Sequence, residues 1–392
     1  MNDLKIGLIG TGGRGNIARH AHKPGQGFRI TAGADINDKA LSEFKEKYGP
    51  DVFITKDYRD LINRSGIDAV FITSPDFLHE EQAVAALEKG LSVYCEKPLA
   101  ITIKGCDRII RTAKKHKAKI FVGHNMRYMN AVIKMKELID SGAIGEIKAC
   151  WCRHFVAYGG DAYFRDWHAE KKYSTGLLLQ KGAHDIDVIH WLCGAYSERV
   201  TGFGSLSVYN KCPRRKISDP YEKVGCSRNE NWPPLEMKDM NPVIEVEDQN
   251  MMLMRLTNGI MASYLQCHFT PDSWRNYTFI GTKGRLENIG DAGGDAVIRI
   301  WNKRGHYNAD GNDAVIVKAA NEENGGADPV IVNDFLHFIR EGGKTSATAV
   351  AARNSVAAGY QATMSIRSGG KPLNVPPIDP DLEDYINSLQ IG

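Results

Sequence analysis

A short apolar run, Lys5-Ile-Gly-Leu-Ile9, passes directly into Gly10-Thr-Gly12-Gly-Arg-Gly15, and a helix-compatible stretch from Asn16 to His22 follows at once. Few folds accommodate strand, glycine loop and helix in that order. Gly10 permits a tight turn, Gly12 lets the backbone approach a pyrophosphate, and Gly15 allows close helix packing where the helix N-terminus attracts the anion. A second strand, Phe28 to Ala34, ends in Asp35, placed where a carboxylate can accept hydrogen bonds from an adenosine ribose. Gly10, Thr11, Gly12, Gly13, Arg14, Gly15 and Asp35 are therefore the expected dinucleotide contacts. Asp35 repels a 2′-phosphate, and Ile36-Asn37-Asp38 offers no arginine to meet one, which favours NAD over NADP. Arg14 is the residue that points the other way.

Further strand–helix units follow: Asp51 to Ile54 with Tyr58 to Ile62, Ala69 to Thr73 with His79 to Lys89, Ser92 to Cys95, and Ile120 to Val122 after a basic helix. Alternation at this spacing predicts an α/β fold with a parallel, doubly wound sheet, a Rossmann-type dinucleotide-binding domain. Ligands of such sheets bind at the carboxyl edge, in the turns Thr73-Ser74-Pro75, Glu96-Lys97-Pro98 and His124-Asn125-Met126-Arg127. Ser74 and His79 read equally as helix caps and as contacts to the nicotinamide half of a cofactor. Pro98 removes a backbone donor and bars Lys97 from the α region, so Lys97 projects in a fixed direction beside Glu96. Desolvation lowers a lysine pKa and a neighbouring carboxylate raises it, so this turn suits an acid/base group; on spacing alone it suits a surface ion pair as well.

Bulk properties narrow the partners. The chain has 392 residues, 42% hydrophobic and 25% charged, enough for two domains with sizeable cores. A net charge of +3, spread along the sequence, makes no case for nucleic acid, so the expected partner is a small molecule. No apolar run approaches the length of about 18 residues that spans a bilayer. Met1-Asn-Asp-Leu-Lys-Ile-Gly leads into a strand without a signal-peptide pattern, and a cytoplasmic location is expected. The eight cysteines form no C-x-x-C pair and read as reduced, buried thiols. Cys212 and Cys226 share one polar loop, but no second ligand pair accompanies them, and no metal is expected.

Gly10-Thr-Gly-Gly-Arg-Gly15, Phe71-Ile-Thr-Ser-Pro-Asp-Phe-Leu-His79, Glu96-Lys-Pro98 and Gly123-His-Asn-Met-Arg127, in this order and spacing, resemble the glucose-fructose oxidoreductase, inositol dehydrogenase and rhizopine catabolism family, Gfo/Idh/MocA. The resemblance implies an N-terminal Rossmann domain and a C-terminal α/β domain with a large, mainly antiparallel sheet. It also implies NAD(P)-linked chemistry on sugar or cyclitol hydroxyls. In such enzymes the lysine of Glu-Lys-Pro lies beside the nicotinamide and the reacting carbon, often before a cis proline. Lys97 takes that place here, with Glu96 beside the cofactor. The expected division is 1–125 for the Rossmann domain, 126–370 for the substrate-binding domain and 371–392 for a C-terminal tail.

Beyond Arg127 the pattern predicts a helix from Ala131 to Ser141 and a half-buried strand from Glu146 to Phe155. A polar, aromatic loop follows through Tyr163, Arg165, Trp167 and His168; aromatic faces with interspersed donors suit sugar rings, and they also suit core packing. Arg127, Tyr128, His154, Tyr163, Arg165, Trp167, Gln180 and Lys181 are the expected substrate contacts. In Ser174 to Leu192, Ile186 and Ile189 pack inward on a helix ending near Gly194, with His184 and Asp187 on one face. Many relatives read D-x-G-x-H in this segment. Here His184 aligns with the histidine, but Gln180 stands at the aspartate position and cannot accept a proton. Proton transfer therefore falls to Lys97 or His184, the expected catalytic residues, with Lys181 as a further candidate.

Ser205 to Glu245 is a polar insertion without periodicity, readable as a lid, an oligomer contact or a surface excursion; its Lys211, Arg214, Arg215 and Lys216 suit either an anionic substrate or a solvated face. Strands are expected at 246–256, 260–269 and 277–282, with a hairpin at Asn258-Gly259, then a loop-rich stretch from Gly293 to Gly325. Helices are expected at 329–341, 350–368 and 381–389. The broad apolar face of the C-terminal sheet suggests a homo-oligomer. Two functions fit: an NAD-dependent dehydrogenase acting on a ring hydroxyl of a sugar, sugar derivative or cyclitol, or an NAD-dependent glycoside hydrolase working by transient oxidation, elimination, hydration and re-reduction.

Overall fold

The strand that precedes the glycine loop, β1 (Leu4–Ile9), lies inside a six-stranded sheet with β2 (Phe28–Ala34), β3 (Phe53–Thr55), β4 (Ala69–Ile72), β5 (Ser92–Cys95) and β6 (Ile120–Val122). The order is β3-β2-β1-β4-β5-β6 and every pair is parallel, the doubly wound arrangement expected. The structure is a computed structural model and describes residues 2–219, 231–291, 294–319 and 326–391. Gly10 has φ +87°, and a Cβ there would lie 2.7 Å from the Ser74 nitrogen; one on Gly15 would lie 2.3 Å from the Gly10 carbonyl oxygen. Only glycine fits either place. The helix after the loop, Gly13–Ala21, starts earlier than its sequence suggests and is of the 3₁₀ type.

Two compact units divide the chain: residues 1–128, 326–353 and 378–392 form the first, and 129–325 with 354–377 form the second. The simple N-to-C division into 1–125, 126–370 and a tail is thereby corrected. Helix Ala327–Glu341 returns to the first unit, where the Phe335 ring lies 5.2 Å from Phe71, 5.5 Å from Tyr94 and 5.6 Å from Phe121. Residues 378–392 of the tail are also part of that unit: helix Pro380–Ser388 buries Leu382 and Ile386, and Tyr385 Oη donates to the Ala118 carbonyl at 2.9 Å. Linear order could not reveal this, because the partners lie more than 200 positions apart.

The second unit is built on a nine-stranded sheet of β7 (Ile147–Phe155), β8 (Ser197–Ser205), β9 (Gln249–Leu256), β10 (Met261–Cys267), β11 (Trp274–Gly281), β12 (Arg285–Ile289), β13 (Ala296–Trp301), β14 (Asp313–Val317) and β15 (Leu373–Asn374). Its order is β14-β13-β12-β11-β7-β10-β9-β8-β15; β7 and β10 run parallel and the other pairs antiparallel. Along β7, Cys150, Cys152 and His154 are buried while Trp151 is exposed, so the strand is half-buried as expected. Strands β13 and β14 occupy the stretch expected to be loop. β14 lies at the sheet edge and leaves most of its residues exposed, although its Ala314-Val-Ile-Val317 run is apolar.

Among the described residues of 205–245, Tyr209, Cys212, Met237 and Met240 enter a core cluster with Phe164. That part of the insertion is core rather than lid. Cys226 lies outside the described residues; the seven described cysteines are free thiols. No described helix is long and apolar enough to cross a membrane.

Phe335 is fully buried among aromatic rings drawn from three strands. Phe335→Ala is expected to cost about 3–5 kcal/mol, measured as a lowered midpoint in urea denaturation followed by tryptophan fluorescence.

Candidate active site

In the first unit a cleft of about 440 Å³ opens at the carboxyl edge of the sheet, lined among others by Gly10, Gly12, Asp35, Lys56, Thr73 and Ser74. Bare glycine backbone and an acidic side chain at the end of β2 fit a dinucleotide. Asp35 Oδ2 accepts from the backbone nitrogens of Thr11 at 2.8 Å and Gly12 at 3.3 Å, so this carboxylate shapes the loop. Lys56 is bonded to Asp38 at 2.8 Å. Ser74 Oγ donates to Gln82 Oε1 at 2.5 Å.

The Glu96-Lys97-Pro98 turn follows β5, with a cis bond before Pro98. Arg14 ties it to the glycine loop: Nε donates to Glu96 Oε1 at 2.7 Å, and the two terminal nitrogens donate to Asp328 at 2.6 and 3.0 Å. Burial alone would lower the Arg14 pKa, but Glu96 and Asp328 outweigh it and hold the guanidinium charged. Arg14 is thus committed to protein carboxylates. His79 proves to be a brace for the same turn. It is fully buried, with Nδ1 2.7 Å from the Pro98 carbonyl oxygen and Nε2 3.0 Å from that of Ser74. The expectation that His79 touches the cofactor is corrected, because both ring nitrogens are already occupied by backbone.

Arg127 and Tyr128 also depart from their expected substrate role. Arg127 is buried and donates to the Ser346 carbonyl, and Tyr128 Oη donates to Asp334. Burial first, then Asp334, pushes the Tyr128 phenol well above its ordinary range. Both residues fasten the returning segment of the first unit.

In the second unit the segment 177–193 folds as a short helix, Leu177–Gln180, and a longer one, Gly182–Cys193, that ends at Gly194 in the left-handed conformation. Asp185, in the first turn of the longer helix, is wholly buried and collects its neighbours. It accepts from Arg275 Nε at 2.9 Å, from Tyr264 Oη at 3.1 Å and from Tyr277 Oη, and His154 Nδ1 lies 3.2 Å away. Burial alone would raise this carboxyl, but Arg275, then His154 and Tyr277, hold it well below the usual carboxylate range. Burial, then Arg275, lowers His154 to about 3, so His154 is neutral at ordinary pH and acts as an uncharged hydrogen-bonding group.

The aromatic loop assembles beside this network. The Tyr163 ring centroid is 5.1 Å from His168, 5.2 Å from His268 and 6.2 Å from Tyr158, and Trp167 stacks on His168 at 3.6 Å. Lys181 Nζ donates to Tyr158 Oη at 3.1 Å. Gln180, His184 and Arg165 are each about nine-tenths or more buried. Asp185, Arg275, Tyr264, Tyr277 and His268 escape the sequence reading. One signal was available: Asp185 lies in a run with Ala183, Ile186, Val188 and Ile189, and a carboxylate buried among such residues must be paired or functional.

Residues 4–124 match the oxidoreductase family with an NAD-binding Rossmann fold, and residues 132–287 match the GFO/IDH/MocA C-terminal domain. The chain belongs to the GFO/IDH/MocA family. It is 36% identical over 192 residues to inositol 2-dehydrogenase of Serratia proteamaculans (strain 568), covering 48% of this chain and 54% of that protein. It is 30% identical over 207 residues to 2,7-anhydro-N-acetylneuraminate hydratase of Mediterraneibacter gnavus, covering 52% and 53%. The aligned stretch thus spans about half the length of these two relatives. In fold, the chain resembles levoglucosan dehydrogenase in complex with NADH and L-sorbose, with a TM-score of 0.77, 22% identity, and coverage of 96% of this chain and 100% of that one.

Asp185 links its pairing to acid stability. Its folded pKa lies below the unfolded value of about 3.9, so its contribution is complete above that pH and is lost as pH falls. Asp185→Asn leaves the buried Arg275 uncompensated and is expected to cost about 3–5 kcal/mol at neutral pH, with a flatter fall below pH 4 than the parent, measured by urea denaturation across pH.

Proposed function

We propose that this chain is an NAD-dependent oxidoreductase that removes hydride from a ring carbinol carbon of a sugar, sugar derivative or cyclitol. The Glu96-Lys97-Pro98 turn carries this reading. Arg14 joins it to the glycine loop and His79 braces it from beneath, so the lysine and the phosphate-approaching backbone form one preorganised piece. The family membership and the dehydrogenases among its relatives support the same chemistry.

Bound NAD supplies the hydride acceptor. Gly10, Thr11, Gly12, Gly13 and Gly15 cradle its phosphates, Asp35 and Ser74 bind along the cleft, and Glu96 fixes the turn through Arg14. NAD is favoured over NADP because Asp35 repels a 2′-phosphate while Arg14 and Lys56 are already paired with carboxylates. Lys97 and His184 act on the reacting hydroxyl, whose proton must leave as the C–H bond breaks. Tyr163, Arg165, Trp167 and Gln180 contact the rest of the substrate, the aromatic rings taking its C–H faces.

The open face of the nine-stranded sheet supports a homo-oligomer. Phe203 is 69% and Leu253 57% exposed, with Met251, the register partner of Phe203, and Met261 also exposed. Leu253→Glu is expected to convert an assembled wild type to monomer in sedimentation velocity.

The activity is tested by incubating purified protein and NAD with sugars, cyclitols and aryl glycosides while following NADH absorbance and aglycone release. NADH formation is expected from at least one polyol. Aglycone release without NADH would replace this reading with the redox-neutral glycosidase. Lys97→Ala is expected to lower kcat by about 100-fold or more while NAD affinity by calorimetry stays unchanged.

A further inference from the structure

Lys181 lies between the helices Leu177–Gln180 and Gly182–Cys193. Its side chain is buried, yet it lies in no ion pair with a carboxylate among the described residues; its polar contact is the bond to Tyr158 Oη at 3.1 Å. The ammonium position is 5.6 Å from the Tyr158 ring centroid and 5.8 Å from that of Tyr163. A buried lysine normally keeps its charge by pairing with a carboxylate, and one without such a partner tends to shed its proton.

The surroundings reinforce that tendency. Arg275, from β11, faces the amine with a fixed positive charge, while Asp185, from the longer helix, and Asp291, after β12, pull the other way. Asp185 is already committed to Arg275. His154, from β7, and His268, after β10, are both held neutral by burial and offer no counter-charge. Burial first, and Arg275 second, lower the Lys181 amine to about 7. Tyr158 is less buried than Lys181 and forms the outer end of the pair.

We propose that Lys181 and Tyr158 form a proton-accepting pair for a substrate hydroxyl. This rests on the reading of the chain as an NAD-linked polyol oxidoreductase. The substrate O–H proton passes to Tyr158 Oη as the phenolic proton passes to Lys181 Nζ. The carbinol C–H electron pair leaves as hydride to NAD, and the O–H electron pair completes the carbonyl. The products are ketone, NADH and a Lys181 ammonium, which returns its proton to water.

Two measurements test this. Polyol oxidation by the wild type is expected to rise with pH through a midpoint near 7 in kcat/KM. Lys181→Met and Lys181→Arg should each lose about 100-fold at pH 8 together with that limb, since arginine keeps the charge but cannot accept a proton. Tyr158→Phe should lose rate in the same way, with NAD affinity retained in all three. A Lys181→Arg or Lys181→Met enzyme with the wild-type rate and limb would overturn the proposal. Independently, NMR titration of isotope-labelled lysine side chains, assigned by the Lys181→Met spectrum, should show one resonance titrating near 7. Titration above about 9 would overturn the role of Lys181 alone. Titration near 7 with no NADH from any polyol would sink the dehydrogenase reading, and the proposed reaction with it.

Discussion

The guanidinium of Arg14 is the junction on which the first unit depends. It leaves the glycine loop, where small residues let the backbone bend and close up, and reaches Glu96 of the Lys97 turn and Asp328 of the returning helix. Three segments distant in sequence are thereby locked by one planar group, and Asn125 adds a bond to the same Asp328 at 3.2 Å. A bidentate guanidinium–carboxylate contact fixes orientation as well as distance. The Lys97 turn is held from the opposite side by His79. The lysine is consequently presented by a scaffold whose own charges are satisfied.

The second unit follows a different electrostatic rule. The wholly buried carboxylate of Asp185 is balanced by Arg275 and hydrogen-bonded by Tyr264 and Tyr277, with His154 beside it. Beside it lie two histidines that burial keeps deprotonated and a lysine amine that burial and Arg275 lower to about 7. Such a site favours groups that donate or accept single protons over groups that bind fixed ions.

Much of this was legible in the chain. Glycines at 10, 12 and 15 after an apolar strand, with Asp35 at the end of the next, admit few backbones, and the parallel sheet followed. Alternation from Glu146 to Phe155 marked a half-buried strand, and Ile147–Phe155 is one, with Cys150, Cys152 and His154 on its buried face. Helix Gly182–Cys193 ended at Gly194 as its glycine stop predicts. His79, Arg127 and Tyr128 were misjudged for a common reason: a polar residue at a sheet edge looks the same in sequence whether it faces a ligand or a backbone carbonyl.

Local sequence thus determined the elements that depend on neighbours within a few residues: the glycine loop, the strand periods, the helix ends and the rigid Lys97-Pro98 turn. The tertiary structure decided what depends on groups brought together from afar. It returned helix Ala327–Glu341 and residues 378–392 to the first unit, consumed Arg14 and His79 in bracing, and gathered Arg275, Tyr264 and Tyr277 around Asp185. Burial and charge at a side chain are sums over such distant partners, so no stretch of sequence carries them.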